Sequence, residues 1–333
     1  MNRREAALMV SAFAPAMVPL AAWAQPTGKV SRIGYLGPSA DTAPHLLKAF
    51  QEGLHALGYE EGRNVVIEYR WTNAGSGMTD DSALLANARD LVARKVDVLA
   101  VSIDPAALAA RRVAGNVPIV TINVSDPVAL GLVATLAHPG GNVTGLSRLS
   151  PQLIGKNLEI LLEATPGAKR IALLVSAVRG MNPSTIENAR QAASTRGLAL
   201  QVVESGTLTE LEAVFAAFRR DHQVEALVVA PGGLFFTQRA RLAELALAQR
   251  LPAIFANTEN VEAGGLMSYS PSSVDNYRRA ATFIDKILRG ARPGDIPVEQ
   301  PTRFELVINM RTAKAMNLVI AQSLLVRADR LLE

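Results

Sequence analysis

The chain has 333 residues, 49% hydrophobic and 19% charged, with a formal net charge of +4. This composition supports a folded core and excludes an intrinsically disordered chain, and the length favours two domains. Basic residues alternate with acidic ones in runs of at most two, which argues against nucleic acid as a partner, and the absence of cysteine excludes disulfides and thiolate sites.

The N-terminus has the pattern of a secretory signal peptide. Arg3-Arg4 forms a positive region, residues 6–22 are apolar and uncharged, and Ala22-Trp23-Ala24 gives a small-x-small cleavage site. An uncleaved membrane anchor is the alternative, because the apolar stretch is nearly long enough to span a bilayer. We expect residues 1–24 to be removed after Ala24, which predicts an exported, periplasmic protein.

From Val30 onward, short β-branched runs alternate with helical stretches, which is typical of a parallel sheet covered by helices. In the first part of the chain, strands are predicted over residues 30–36, 65–70, 96–102 and 118–123. Helices are predicted over residues 43–57 and 81–94, and another begins at Asp104-Pro105. The pattern predicts a first lobe over residues 25–145.

The same succession of elements restarts near residue 150. Strands are predicted over residues 170–175, 198–203, 226–230 and 253–256, and helices over residues 151–163, 183–196, 208–220 and 235–250. The two halves also match in detail, since VPIVTIN at 117–123 parallels LPAIFAN at 251–257. We therefore predict a second lobe of the same α/β topology over residues 146–265.

The C-terminal segment is predicted to connect the two lobes. Strands at 266–269 and 304–309 flank a helix at 272–289. We expect residues from about 266 to 300 to return to the first lobe. Residues from about 301 to 333 are expected to supply hinge and C-terminal elements to the second lobe.

Small and polar residues follow the predicted strands, at the sheet edges where open α/β sheets bind ligands. Two hinged lobes would face these edges across one cleft. The candidate ligand-binding residues are Pro38, Ser39, Trp71, Ser102, Asp104, Asn123, Ser125 and Asp126 in the first lobe, and Ser176, Val178, Pro231, Gly232 and Asn257 in the second.

These residue types suit a small carboxylate-bearing solute. Hydroxyls, amides and the N–H groups of helix N-termini bind a carboxylate, and an acid such as Asp104, Asp126 or Glu259 can hold an amino group. Each residue has an alternative role as a helix cap or turn former. Trp71 is a candidate for stacking on a ligand ring, with core or hinge packing as the alternative.

The sequence gives little support for catalysis, a metal or a cofactor. The four histidines are not spaced i, i+4, and the nucleophile-elbow, P-loop and dinucleotide-binding motifs are absent. An exported hydrolase would require a serine or aspartate beside a histidine in the cleft. No predicted cleft loop contains a histidine, so we expect a protein that is not an enzyme.

Three strings carry a family resemblance: DPVALGLVATLAHPGGNVTG at 126–145, GGLMSYS at 264–270 and QPTRFELVIN at 300–309. They resemble the signature of ABC transporter substrate-binding proteins, and the resemblance extends in matching order over nearly all of the chain after residue 24. It departs at 176–183, SAVRGMNP, where the family often has an Asn-Pro-Asn-rich loop.

The resemblance implies a type I periplasmic binding protein with two Rossmann-like lobes and three hinge crossings. Characterised relatives look like receptors for aromatic amino acids and similar carboxylates. The implied function is capture of such a solute between the lobes by a monomer that delivers it to an ABC permease in the inner membrane. A periplasmic sensor for a signalling partner is the alternative.

Overall fold

The computed structural model describes residues 30–72, 81–148, 150–177, 183–221 and 223–333. The predicted signal peptide and Val178 lie outside these ranges. Among the described residues, no helix has both the length and the apolar character needed to cross a membrane.

The first sheet has five parallel strands in the order β2-β1-β3-β4-β5. Its strands are β1 (Ser31–Gly37), β2 (Val65–Trp71), β3 (Val98–Val101), β4 (Ile119–Val124) and β5 (Val143–Ser147), and its helices are α1 (Pro44–Ala56), α2 (Asp81–Ala93) and α3 (Asp104–Val113). The central strands β3 and β4 are almost entirely buried, as expected for β-branched runs covered by helices on both faces.

The second sheet has seven strands in the order β12-β11-β10-β9-β8-β6-β7, and only the β10–β11 pair is antiparallel. The elements up to β9 are α4 (Ser150–Ala164), β6 (Arg170–Ser176), α5 (Pro183–Ser194), β7 (Ala199–Ser205), α6 (Leu208–Asp221), β8 (Ala226–Val229), α7 (Gly233–Thr237), α8 (Arg239–Ala248) and β9 (Ala253–Phe255). Those that follow are α9 (Thr258–Glu262), β10 (Met267–Pro271), α10 (Ser273–Leu288), β11 (Phe304–Asn309), α11 (Met310–Ala315), α12 (Gln322–Arg327) and β12 (Arg330–Leu332).

The chain passes between the lobes three times. It leaves the first sheet after β5, returns from β10 into α10, and leaves again between Glu299, which bridges to Leu146 of β5, and the start of β11. The predicted fold class, two α/β lobes joined by several crossings, is confirmed.

The sheet pairing differs from the predicted boundaries at two points. Strand β5, which the sequence analysis did not identify, continues to Ser147, so the expected lobe boundary at residue 145 falls within a strand. Strand β10 pairs with β9 and β11 and therefore lies in the second sheet, although it was expected to return to the first lobe. The return begins with α10, whose Tyr277 and Phe283 are buried in the first-lobe core.

The contact between α1 and α10 depends on a glycine. A Cβ at Gly53 would lie 2.4 Å from the backbone oxygen of Arg278, so α10 packs directly against the α1 backbone. We expect Gly53→Ala to destabilise the protein by about 1–3 kcal/mol because the helices must separate. Gly155→Ala in α4 is the matched control: its Cβ would meet only Ala192 at 3.7 Å, so it should stabilise by about 0.5–1 kcal/mol. Urea unfolding of both variants measures the difference, and equal effects would contradict the packing argument.

Candidate functional site

A cleft lies where the carboxyl ends of the two sheets face each other. In each sheet, the first strand of the lobe has neighbours on both sides, with β2 and β3 flanking β1, and β7 and β8 flanking β6. The connections from these strands therefore diverge and leave a crevice, the usual ligand position in open α/β sheets. The loops after β1 and β3 meet the loops after β6 and β8 in this cleft.

The cleft encloses a cavity of about 120 Å³. This is roughly ten times the smallest space that holds one water molecule, and it suits a solute of amino-acid size. The first lobe contributes Pro38, Leu46, Ser102, Ile103, Asp104, Pro105, Asn123, Ser125, Arg148, Ser273 and Tyr277, and the second contributes Ser176, Thr185, Gly206, Pro231, Gly232, Gly233, Leu234, Phe236 and Asn257.

Arg148 follows β5 and joins the lobes at the cavity. Its Nη2 donates to Ala256 O at 2.7 Å and to Asn257 Oδ1 at 2.8 Å, both in the second lobe. Burial lowers the pKa of the guanidinium, and the charges of Glu259 and Asp104 oppose that shift. An arginine side chain stays protonated in proteins, so Arg148 brings a positive charge into the cavity.

Asp104 supplies an acidic side chain to the same wall. Its carboxylate accepts hydrogen bonds from Ser125 N at 2.8 Å and Ser125 Oγ at 2.5 Å. Burial raises the pKa of this carboxyl, while Ser125 and the charge of Arg148 act in the opposite direction. The loops after β3 and β4 are therefore tied together with a carboxylate facing the cavity.

Two buried hydroxyls complete this wall. Ser102 is 1% exposed, and its Oγ lies beside the Tyr277 and Tyr35 hydroxyls without meeting strict hydrogen-bond geometry with any described residue. Burial raises the pKa of Tyr277 to about 12, and the contact with Ser102 acts in the opposite direction. Ser102 and Tyr277 therefore place two hydroxyls in the cavity wall, where they can bond to a ligand oxygen or nitrogen.

A second contact joins the lobes beside the cavity, between α1 and α9. His45 Nε2 lies 3.1 Å from Glu259 Oε1, and Arg239 of α8 donates to Thr42 O at 3.4 Å. Burial disfavours charge on Glu259, but the His45 ring, the α9 backbone and Arg148 together hold its pKa below the usual range. The hydrogen bond to Glu259 raises the pKa of His45.

The structure brings nine of the thirteen predicted residues together around the cavity: Pro38, Ser102, Asp104, Asn123, Ser125, Ser176, Pro231, Gly232 and Asn257. Val178 lies outside the described residues. Ligand contact by any of them stays a prediction, but their convergence follows from the strand order.

Three predicted residues do not line the cavity. Ser39 and Asp126 form turns, since Ser39 Oγ bonds to Thr42 Oγ1 and the Asp126 carboxylate accepts the N–H groups of Val128 and Ala129. Trp71 ends the edge strand β2 and stacks on Tyr69 at 5.2 Å between ring centroids. Ser39 and Asp126 therefore act as turn formers and Trp71 packs against other aromatic rings, which are the alternative roles given for them from the sequence.

Eleven of the lining residues were not predicted from the sequence, among them Arg148, Tyr277, Thr185 and Phe236. Arg148 follows a strand that was not predicted, and Tyr277 reaches the cavity only because α10 returns to the first lobe. Elsewhere in the described ranges, no three His, Asp or Glu side chains are grouped so that they could hold a metal ion.

The family profile described as ABC transporter substrate binding protein matches residues 38–332. A curated relative, the tyrosine-binding protein of Clostridioides difficile strain R20291, is 28% identical over 281 residues, which cover 84% of this chain and 78% of the relative.

Two solved structures have the same arrangement of lobes. One is a conserved domain protein from Vibrio cholerae, with a TM-score of 0.84 and 25% identity, covering 91% of this chain and 100% of that one. The other is an ABC domain from Streptococcus pneumoniae in complex with L-Trp, with a TM-score of 0.83 and 25% identity, covering 91% and 99% of the two chains.

Proposed function

The chain belongs to the family of ABC transporter substrate-binding proteins, and we propose that it captures an amino acid with a neutral, ring-bearing side chain. The proposal rests mainly on the charged side chains that line the cavity. Among its described lining residues, Asp104 and Arg148 are the only charged side chains. One acid and one base complement the ammonium and carboxylate groups of a zwitterion and leave no charge for an ionised side chain.

The polar residues divide between the two ends of such a ligand. We assign the carboxylate to Arg148, whose remaining N–H groups have no acceptor among the described residues, and to the Ser102 hydroxyl in the same wall. The ammonium group is assigned to Asp104. An arginine fork is well suited to a carboxylate, and charge-assisted hydrogen bonds of this type are the strong ones.

The remaining lining supports a ring-bearing side chain. Leu46, Leu234 and Phe236 give the cavity an apolar part, and Phe236 of the second lobe packs against the first-lobe core. The curated relative is named for tyrosine, and one of the similar solved structures contains L-Trp. Tyrosine and tryptophan are therefore the first ligands to test.

Capture is proposed to close the cleft. The contacts from Arg148 to Asn257 and from His45 to Glu259 span the lobes, so they can form only in the closed arrangement. A ligand that binds both lobes favours that arrangement because it interacts more strongly with it. We propose that the chain is exported after removal of residues 1–24 and that the closed form, as a monomer, delivers its ligand to an ABC permease.

Binding without catalysis is the proposed role. A hydrolase would require a histidine beside a nucleophile, and none of the described lining residues is a histidine. His45, beside the cavity, is bonded to Glu259 instead of to a serine.

A thermal-shift screen of residues 25–333 against the twenty amino acids tests the proposal. Ligand at 100 times its dissociation constant adds about 2.7 kcal/mol of stability, which gives a clear increase in melting temperature. We expect increases with tyrosine, tryptophan or phenylalanine and none with lysine or glutamate. Stabilisation by charged amino acids alone would refute the proposed ligand class.

The His45–Glu259 contact predicts weaker ligand binding at higher pH. The pKa of His45 is raised when Glu259 is in contact, so the closed form binds a proton more tightly than the open form. Closure is then favoured below the ordinary histidine pKa of about 6.5, and that contribution disappears as the pH rises through the higher pKa of the closed form. Glu262 reinforces this shift and Arg239 opposes it.

Because the His45 side chain is 44% exposed, we expect only about a two- to fivefold loss of affinity between about pH 6 and pH 8.5. Calorimetric titrations over this range measure it. His45→Gln should flatten the profile, and His55→Gln on the same helix is the matched control. An unchanged profile in His45→Gln would show that another group is responsible.

A further inference from the structure

A line of hydrogen bonds runs from the cavity wall through the start of α9 to Arg148. Asn260 Nδ2 donates to Phe235 O at 3.0 Å, and Asn257 Nδ2 donates to Asn260 Oδ1 at 3.3 Å. Asn257 Oδ1 then accepts from Arg148 Nη2 at 2.8 Å. Asn257 is 5% exposed and Asn260 is 1% exposed, and Asn260 lies behind the residues that line the cavity.

The two ends of this line determine the orientation of both amides. Phe235 O can only accept a hydrogen bond, so Asn260 must turn its NH₂ group toward it and its oxygen toward Asn257. Asn257 then turns its own NH₂ group toward Asn260 and its oxygen toward Arg148, which can only donate. A reversed Asn257 amide would place NH₂ against the guanidinium and lose this bond.

Helix α9, at whose start these hydrogen bonds lie, is anchored to neighbouring elements. Asn309 Nδ2 donates to Val261 O at 3.2 Å, and Thr312 Oγ1 donates to Gly264 O at 2.8 Å, which ties α9 and the turn after it to β11 and α11. Loss of the Asn260 side chain therefore removes one of the two partners that orient the Asn257 amide, while Arg148 and these anchors of α9 remain.

We propose that Asn260 is a positioning residue for ligand capture. It fixes the Asn257 amide so that Arg148 is held between the lobes where the ligand carboxylate binds, although Asn260 itself lies outside the cavity lining. This inference rests on the proposed function and assigns to a buried residue a role in affinity that acts only through Asn257 and Arg148.

Calorimetric titration with L-tyrosine and L-tryptophan tests the proposal. Asn260→Ala should lower affinity by about three- to tenfold, the range for one neutral hydrogen bond. Asn188→Ala is the control, because it removes an amide that donates to Pro151 O at 2.9 Å away from the cavity, and it should leave affinity unchanged.

A second comparison separates positioning through Arg148 from a general loss of structure. In an Arg148→Met background, Asn260→Ala should cause no further loss, because the residue through which it acts is gone.

A loss of affinity that persists in the Arg148→Met background would show that Asn260 is merely structural. An unchanged affinity in Asn260→Ala would overturn the inference and leave the proposed function intact. If the unsubstituted protein binds none of the twenty amino acids, the proposed function fails first and this inference fails with it.

Discussion

Arg148→Met is expected to lower the affinity for L-tyrosine by roughly 100-fold. Methionine keeps much of the apolar length of the side chain but removes its charge, its bonds to Ala256 O and Asn257 Oδ1, and the donors assigned to the ligand carboxylate. Hydrogen bonds to charged groups each contribute about 1.5–3 kcal/mol, and two of them at the lower limit of this range total about 3 kcal/mol, which corresponds to a loss of roughly 100-fold. Calorimetric titration measures it.

Two further variants define the cause. Arg148→Lys keeps the charge but not the planar fork, so we expect an intermediate loss of about tenfold. Arg170→Met, which removes an arginine paired with Glu225 on the second-lobe surface, should leave affinity unchanged. Equal affinities in Arg148→Met and the unsubstituted protein would exclude Arg148 as the carboxylate partner.

Asp104→Asn should weaken L-tyrosine binding by about 10- to 50-fold through loss of one charge-assisted contact with the ammonium group. The substitution preserves shape, and the amide oxygen can still accept from Ser125 N, while the Ser125 hydroxyl can turn to accept from the new NH₂ group. The melting temperature without ligand should therefore change little. A large drop in melting temperature would mean that the loss of affinity reports folding.

Asp126→Asn is the matched control for Asp104→Asn. Both residues lie near the loop after β4, but the Asp126 carboxylate accepts from Val128 N and Ala129 N, which an asparagine oxygen can also do. Affinity should be unchanged in Asp126→Asn. If instead Asp126→Asn weakens binding and Asp104→Asn does not, the ammonium group of the ligand must bind Asp126 in the turn after β4.

Much of the architecture could be predicted from periodicity. Apolar runs such as those of β4 and β9 are short, buried and bounded by turn residues, so their type and order are clear from local sequence. Once parallel strands alternate with helices, their carboxyl ends must share an edge. This is why Ser102, Asn123 and Asn257 could be predicted to converge without coordinates.

The missed residues depend on long-range structure. Strand β5 is the short run VTGLS, and its Gly145 has a φ of +127°. Glycine is required there because a Cβ would lie 2.2 Å from Thr121 O. Neither local propensity nor alternation identifies such a strand, so Arg148 at its end was overlooked. His45 lies on α1, and only the approach of the second lobe gives it a partner, Glu259.

Trp71 is a residue for which ligand stacking and core or hinge packing were both left open. Its position at the end of a strand suggested a ring that stacks on the ligand, but sequence order does not reveal which strand lies at the edge of the sheet. Because β2 occupies that edge, Trp71 is displaced from the crevice beside β1 and packs on Tyr69 and Tyr35. An edge position can be determined only from the pairing of all the strands.

Recognition of a zwitterion by Arg148 and Asp104 can be tested with ligand analogues in one calorimetric comparison. L-Tyrosine is titrated beside tyramine, which lacks the carboxylate, and 3-(4-hydroxyphenyl)propionate, which lacks the amine. We expect L-tyrosine to bind and each analogue to lose at least about 30-fold in affinity, since a charged partner is left unpaired in each case. Binding of either analogue as tightly as L-tyrosine would contradict the account.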